Sequence, residues 1–230
     1  MICLKKRFIF VHIPKTAGSS LSHALGLDWQ NHKDIARYKK ELSPSVFDDF
    51  FKFTVVRNPW ARLVSEYSFQ TRLSGHRASK LHAYDGNGRL RDFSSWVQAV
   101  FENPYRYPAR VWGGSVSRGI HRWSPQTDWI EVDGTSAIDY VAKLENLDAD
   151  CSHIARKLCI QLPTLPRQKR TFHAHYSSYY TSATRELVSL KYASDIEAFD
   201  YRFEESSAGA YTCKLNFRIR SFLSNLIHRE

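Results

Sequence analysis

The sequence predicts an α/β fold in which a central parallel sheet carries helices on both faces. Three observations point there. The apolar runs "FIFVHI" (Phe8 to Ile13) and "FKFTVV" (Phe51 to Val56) have the continuous hydrophobicity of strands covered on both sides. Each run stops at a turn and gives way to apolar residues at helical spacing. The same strand-then-helix alternation returns in the second half of the chain, as a parallel sheet with crossover helices requires.

After the first strand, Pro14 to Gly18 form a turn, and Leu21, Ala24 and Leu25 recur at helical spacing. The second strand ends in "RNPW", where Asn58 suits an N-cap and Pro59 the first helical position. Trp60, Leu63, Val64 and Tyr67 then line one helical face. "YVAKLENL" (Tyr140 to Leu147) reads as a third strand, followed by a helix marked by Cys151, Ile154, Ala155 and Leu158. A basic loop, "LPRQKRTFHAHY", precedes one more helix with Val188, Tyr192, Ile196 and Phe199 on one side. The stretch 74–134 is rich in glycine, aromatics and arginine, with only "FSSWVQAVF" helical in pattern, and reads as an insertion or acceptor-side region. The tail 214–230 places Leu215, Ile219, Phe222, Leu223 and Leu226 on one face of an amphipathic helix that docks on the core or touches a membrane surface.

Composition narrows the classes. Hydrophobic residues make up 43% of the 230 and charged residues 24%, as in ordinary globular chains, and one α/β domain can use the whole length. The formal charge of +10 calls for an anionic partner. Four cysteines, with no CxxC pair and no nearby histidine at metal-ligand spacing, point to no metal site and fit reduced thiols in the cytoplasm. No stretch reaches the roughly 20 apolar residues of a membrane span.

The chemistry gathers where strands end. In a parallel sheet, ligands bind beyond the carboxyl ends of the strands. "PKTAGSS" lies at such an end and opens a helix, whose free N–H groups and dipole favour an anion. Lys15 adds a point charge, Gly18 permits close backbone approach, and Thr16, Ser19 and Ser20 add hydroxyls around Ala17. The order GxxxxGK[ST] is absent, which weakens a Mg²⁺-dependent nucleotide-hydrolysing reading. At the second strand end, Arg57 stands two helical turns before Ser65, and small Ala61 leaves room between them for a phosphate.

"IPKTAGSSL" and "VVRNPWARLVSEY" together resemble the two donor-binding motifs of sulfotransferases, especially the carbohydrate O-sulfotransferase branch. The match falls on Lys15, Gly18, Arg57, Pro59, Arg62, Ser65 and Tyr67. Weaker likeness runs on through "DFSSWV", "QTDWI", "KLENL" and "SDIEAFDYRF", so it covers most of the chain. The resemblance implies a P-loop NTPase-like three-layer fold forming a single domain over 1–230. It implies 3′-phosphoadenosine 5′-phosphosulfate as donor, with Lys15 to Ser20 on the 5′-phosphosulfate and Arg57 and Ser65 on the 3′-phosphate. Lys169, Arg170 and Thr171 stand where relatives often carry an asparagine–serine pair in a loop that closes over the donor. Ala61 is a second departure, since an acidic residue is common there.

Transfer to a hydroxyl needs a general base and a cation near the bridging oxygen. Lys15 suits the cation, and no metal is required. Among ten histidines, His32 lies between the motifs, comparably to the base histidine of the resembling glycosaminoglycan sulfotransferases. His12 is the reserve, His173 and His175 are weaker candidates, and Asp34 is a carboxylate alternative. Tyr105, Arg106, Tyr107, Arg110, Trp112, Arg118, Arg122 and Trp123 form an aromatic-cationic region suited to a sugar or glycolipid acceptor. No nucleic-acid motif accompanies it. A nucleotide kinase using ATP and Mg²⁺, or a non-catalytic module binding acidic glycan, are the rival readings.

Overall fold

The computed structural model describes residues 1–28, 32–72, 82–104, 119–163 and 174–205. A four-stranded sheet with order β1-β2-β3-β6 forms its centre, from Ile2–Cys3, Phe8–Val11, Phe51–Val56 and Tyr140–Lys143. β2, β3 and β6 are parallel, in the register Val11↔Thr54 and Val56↔Lys143. β1 pairs antiparallel with β2 at the edge. A small hairpin of β4 (Glu131–Val132) and β5 (Thr135–Ser136) stands apart.

Helices cover both faces because each central strand is apolar on both. Phe8, Phe10, Phe53, Val55 and Ala142 pack against Leu21 and Leu25 of α1 (Gly18–Ala24) and its C-cap, and against Cys151 and Ile154 of the helix Leu147–Lys157. Ile9, Val11 and Val56 point the other way. They meet α2 (Ile35–Glu41), α3 (Pro44–Asp49), α4 (Pro59–Gln70) and α5 (Phe93–Glu102), with Trp129 and Val188 from later helices. Burying each such side chain contributes about 1.5–3 kcal/mol, which explains why the alternation of strand residues fixes both layers at once. Lys52, the second residue of β3, is buried but satisfied: its Nζ donates to the carbonyls of Phe47 and Phe50 at 3.1 and 2.8 Å.

β3, α4 and α5 match their sequence signatures, and Asn58 caps α4 by accepting from the N–H groups of Trp60 and Ala61. Three boundaries differ. β2 ends at Val11, so His12 and Ile13 already lie outside the strand. β6 stops at Lys143, and Leu144–Asn146 coil into a 3₁₀ turn leading directly into the helix Leu147–Lys157. The late helix is broken at Tyr192 into Ser182–Lys191 and Ala193–Ala198. The tail 214–230 lies outside the described residues, as does much of the proposed insertion.

Candidate active site

The carboxyl ends of β2 and β3 lie side by side, so the two loops that leave them are neighbours. In the first, Lys15 and Ala17 have positive φ (71° and 63°) while Thr16 between them does not. Alternation of this kind is the backbone pattern of nests, in which successive N–H groups turn to one concave side, and α1 starts at once at Gly18. The Thr16 hydroxyl donates to the Ile13 carbonyl at 3.0 Å and closes the turn from inside. Ser20 is buried on the first turn of α1, and Ser19 is half-buried. Gly18 has a reason the sequence does not reveal: a Cβ there would lie 1.8 Å from Cδ2 of the His12 ring. The loop rests on that imidazole.

Arg57 leaves β3 and crosses to the first loop, where Nη1 donates to the Lys15 carbonyl at 3.3 Å. Burial pushes its guanidinium down to about 10, against the pull of Glu145 and Tyr201. Its main chain is held by Gln126, which accepts from the Arg57 N–H at 2.9 Å and donates to the Arg57 carbonyl at 2.8 Å. Asn58 N–H donates to Glu145 at 2.7 Å, and Tyr201 donates to the other oxygen of that carboxylate at 3.1 Å. Ser65 is buried on α4, and its hydroxyl makes no hydrogen bond among the described residues, to Arg57 or to any other group.

Arg62 is also buried, and its guanidinium donates to three main-chain carbonyls: Pro14 at 3.2 Å, Ser124 at 3.1 Å and Arg122 at 2.8 Å. It ties the anion loop to the 119–124 segment. One turn on, Glu66 pairs with Arg122 at 2.5 Å. Burial alone would raise its carboxyl, but Arg122 and Lys15 outweigh that and hold it below the usual range. Lys15 Nζ lies 4.5 Å from the centre of the Phe69 ring, against α4.

His32 is not a solvated loop residue. It is buried, its ring centre 4.2 Å from that of His12 and edge-on to Trp129. Its Nδ1 is 2.6 Å from the His12 carbonyl. A carbonyl can only accept, so Nδ1 carries the proton and Nε2 of the neutral ring is the lone-pair nitrogen. Burial lowers its pKa to about 4, with Arg122 adding to the effect and the bond to His12 opposing it. The imidazole is therefore neutral near pH 7.

Several expected residues fall elsewhere. Trp123 is core, packed edge-on to Trp96 and His82, and Arg122 faces Glu66, so neither lines an open acceptor surface. Asp34 is buried as the N-cap of α2, accepting from Arg37 N–H at 2.8 Å. His175 caps the 3₁₀ turn Tyr176–Tyr179. Lys169, Arg170, Thr171 and His173 lie outside the described residues, as do the other members of the aromatic-cationic region. Gln126, Glu145 and Asp195 escaped the sequence reading, although each sits in a segment the resemblance had touched. Among the described residues no group of histidine, cysteine or carboxylate side chains could hold a metal ion, and no helix is long and apolar enough to cross a membrane.

Fold and loops together define an α/β protein in which a tight loop at the carboxyl edge of a parallel sheet opens directly into a helix. The chain belongs to the Sulfotransferase family, whose model matches residues 1–202. It is thus a transferase that moves a sulfuryl group from a sulfate donor to an acceptor. A search of curated proteins returned no significant match.

Proposed function

We propose that the donor is 3′-phosphoadenosine 5′-phosphosulfate and that the acceptor is a hydroxyl of a carbohydrate, free or in a glycolipid. One observation carries the donor reading: the Arg57 guanidinium reaches the Lys15 carbonyl, so two anion-gripping motifs meet edge to edge. That arrangement suits a ligand with phosphate groups at two ends. The nest from Lys15 to Ser20 takes the 5′-phosphosulfate, with Lys15, Thr16, Ala17, Gly18, Ser19 and Ser20 as its members. Arg57 and the Ser65 hydroxyl take the 3′-phosphate, a charge-assisted contact. Lys169, Arg170 and Thr171 are assigned to a loop over the donor on the resemblance alone.

In the transfer, the acceptor oxygen bonds to sulfur while the bond from sulfur to the bridging oxygen breaks. The hydroxyl proton passes to Nε2 of His32, and charge growing on the bridging oxygen is met by Lys15. The orientation of His32 supports this role, since its Nδ1–H is already committed to His12. A carbohydrate acceptor rests on the family branch that the two motifs resemble and on the +10 charge, which would draw an acidic glycan.

The test is transfer of labelled sulfate from the donor to a panel of desulfated glycosaminoglycans, glycolipids and simple phenols, with and without a chelator. Labelled carbohydrate supports the reading. Transfer to phenols alone, or activity abolished by the chelator, contradicts it.

A further inference from the structure

We infer that Gln126, backed by Asp195, is the positioning residue that sets selectivity for the 3′-phosphate by fixing the main chain of Arg57. The inference rests on the reading that Arg57 receives this phosphate. Neither Gln126 nor Asp195 is asked to touch the donor.

The need for such a residue arises where the sheet ends. β6 pairs with β3 as far as Val56↔Lys143. One residue further, the N–H and carbonyl of Arg57 have passed the last strand pair, and buried main-chain groups need partners. The primary amide of Gln126 supplies both, at 2.9 and 2.8 Å, in place of another peptide group. Its second N–H donates to Asp195 Oδ2 at 3.1 Å, and Asp195 Oδ1 accepts from Thr127 N–H at 3.0 Å. Gln126 and Asp195 are both fully buried.

This amide has a single permitted orientation. The Arg57 N–H can only donate and must face Oε1, while the Arg57 carbonyl and the Asp195 carboxylate can only accept and must face Nε2. A flip would set three like groups against one another. The amide therefore locks the start of the helix Gln126–Ile130, the helix Ala193–Ala198 and the end of β3 into one arrangement. Arg57 is a long side chain, and its aim depends on where its Cα is anchored. With the anchor fixed, the fork arrives at the phosphate already placed; with it loose, the contact is made at a cost in ordering. At metal sites, residues that hold a ligating side chain without touching the metal change affinity by about 10–100-fold, and the same dependence on a held anchor applies to Arg57.

The experiment compares Kd for 3′-phosphoadenosine 5′-phosphate and 5′-AMP, which differ only in the 3′-phosphate. The proteins are the wild type, Gln126→Met, Asp195→Asn, Arg57→Ala and Ile130→Ala. Gln126→Met removes the amide at similar volume. Asp195→Asn is the milder variant, placing an N–H₂ or a flipped amide against Gln126, and serves if the first fails to fold. Ile130→Ala shortens a core side chain on the same helix and reports general loosening. The preference for the 3′-phosphorylated ligand should fall about 10-fold or more in Gln126→Met and Asp195→Asn. Their affinity for 5′-AMP and the Ile130→Ala ratio should stay near wild type. An undiminished ratio in the Gln126 and Asp195 variants, beside a lost ratio in Arg57→Ala, overturns the inference alone. Equal loss in Ile130→Ala also overturns it, because simple loosening would then suffice. No preference in the wild type overturns the Arg57 reading itself, and the inference with it.

Discussion

At the scale of single residues, His32 and Gly18 show how much one side chain depends on another. His32 is oriented by the carbonyl of His12, and the His12 ring occupies the space under Gly18. If His32 is the base, His32→Gln should lower kcat by about 10²-fold or more while donor affinity holds. Isothermal titration beside steady-state kinetics separates the two effects. The acid limb of kcat/KM should then lie nearer 4 than 6.5, because burial lowers the imidazole; a limb at 6.5 that survives in His32→Gln would assign it to another group. Gly18→Ala would drive a methyl into the His12 ring. Overpacking of this kind costs about 1–3 kcal/mol, and denaturant unfolding should show that loss together with weaker donor binding.

At the scale of elements, α4 organises the site from within the core. It is buried nearly all round, and its polar residues face inward to hold loops rather than outward to water. Asn58 caps it, and Asn58→Ala should cost about 1 kcal/mol of stability or somewhat more, since the side-chain amide also donates to the Arg202 carbonyl. Arg62→Met would strand three main-chain carbonyls, and about 3 kcal/mol is the expected loss by denaturant unfolding. A change under 0.5 kcal/mol, roughly the scale of surface substitutions, would contradict the strap assigned to Arg62. The sequence showed α4 and β3 well, because an apolar run, an Asn-Pro pair and an i, i+3, i+4, i+7 face are local signals. It could not show what Arg62 holds, since its partners lie 48 to 62 residues away. The break at Tyr192 was hidden for a related reason: Val188, Tyr192 and Phe199 are all buried, so their spacing fits one helix as readily as two packed against the same core.

At the scale of the molecule, two neutral histidines, His32 buried and His121 half-buried, tie stability to pH. His32 and His121 are both lowered by burial to about 4, from 6.5. The unfolded chain therefore takes up protons first as pH falls. Their contribution is complete above about 6.5 and declines towards 4. For His32 the full span amounts to roughly 3 kcal/mol, and the more exposed His121 adds less. Denaturant midpoints at pH 7 and pH 4.5 should differ, and His32→Gln should narrow the gap. The parallel sheet and its two apolar faces were legible in the sequence, as was the pairing of its two strand-end loops, which the Arg57 guanidinium joins at the Lys15 carbonyl. The antiparallel edge strand β1 was not, because two residues carry too little pattern. Nor was the frame behind Arg57, where Gln126 meets it across 69 residues of chain. In the proposed site, Arg57 and the first loop together take a nucleotide phosphorylated at both its 5′ and 3′ positions. The most direct measurement is thermal stabilisation by 3′-phosphoadenosine 5′-phosphate against 5′-AMP, in chelator. A clearly larger shift with the 3′-phosphorylated nucleotide is the expected result; equal shifts, or none, would contradict the account.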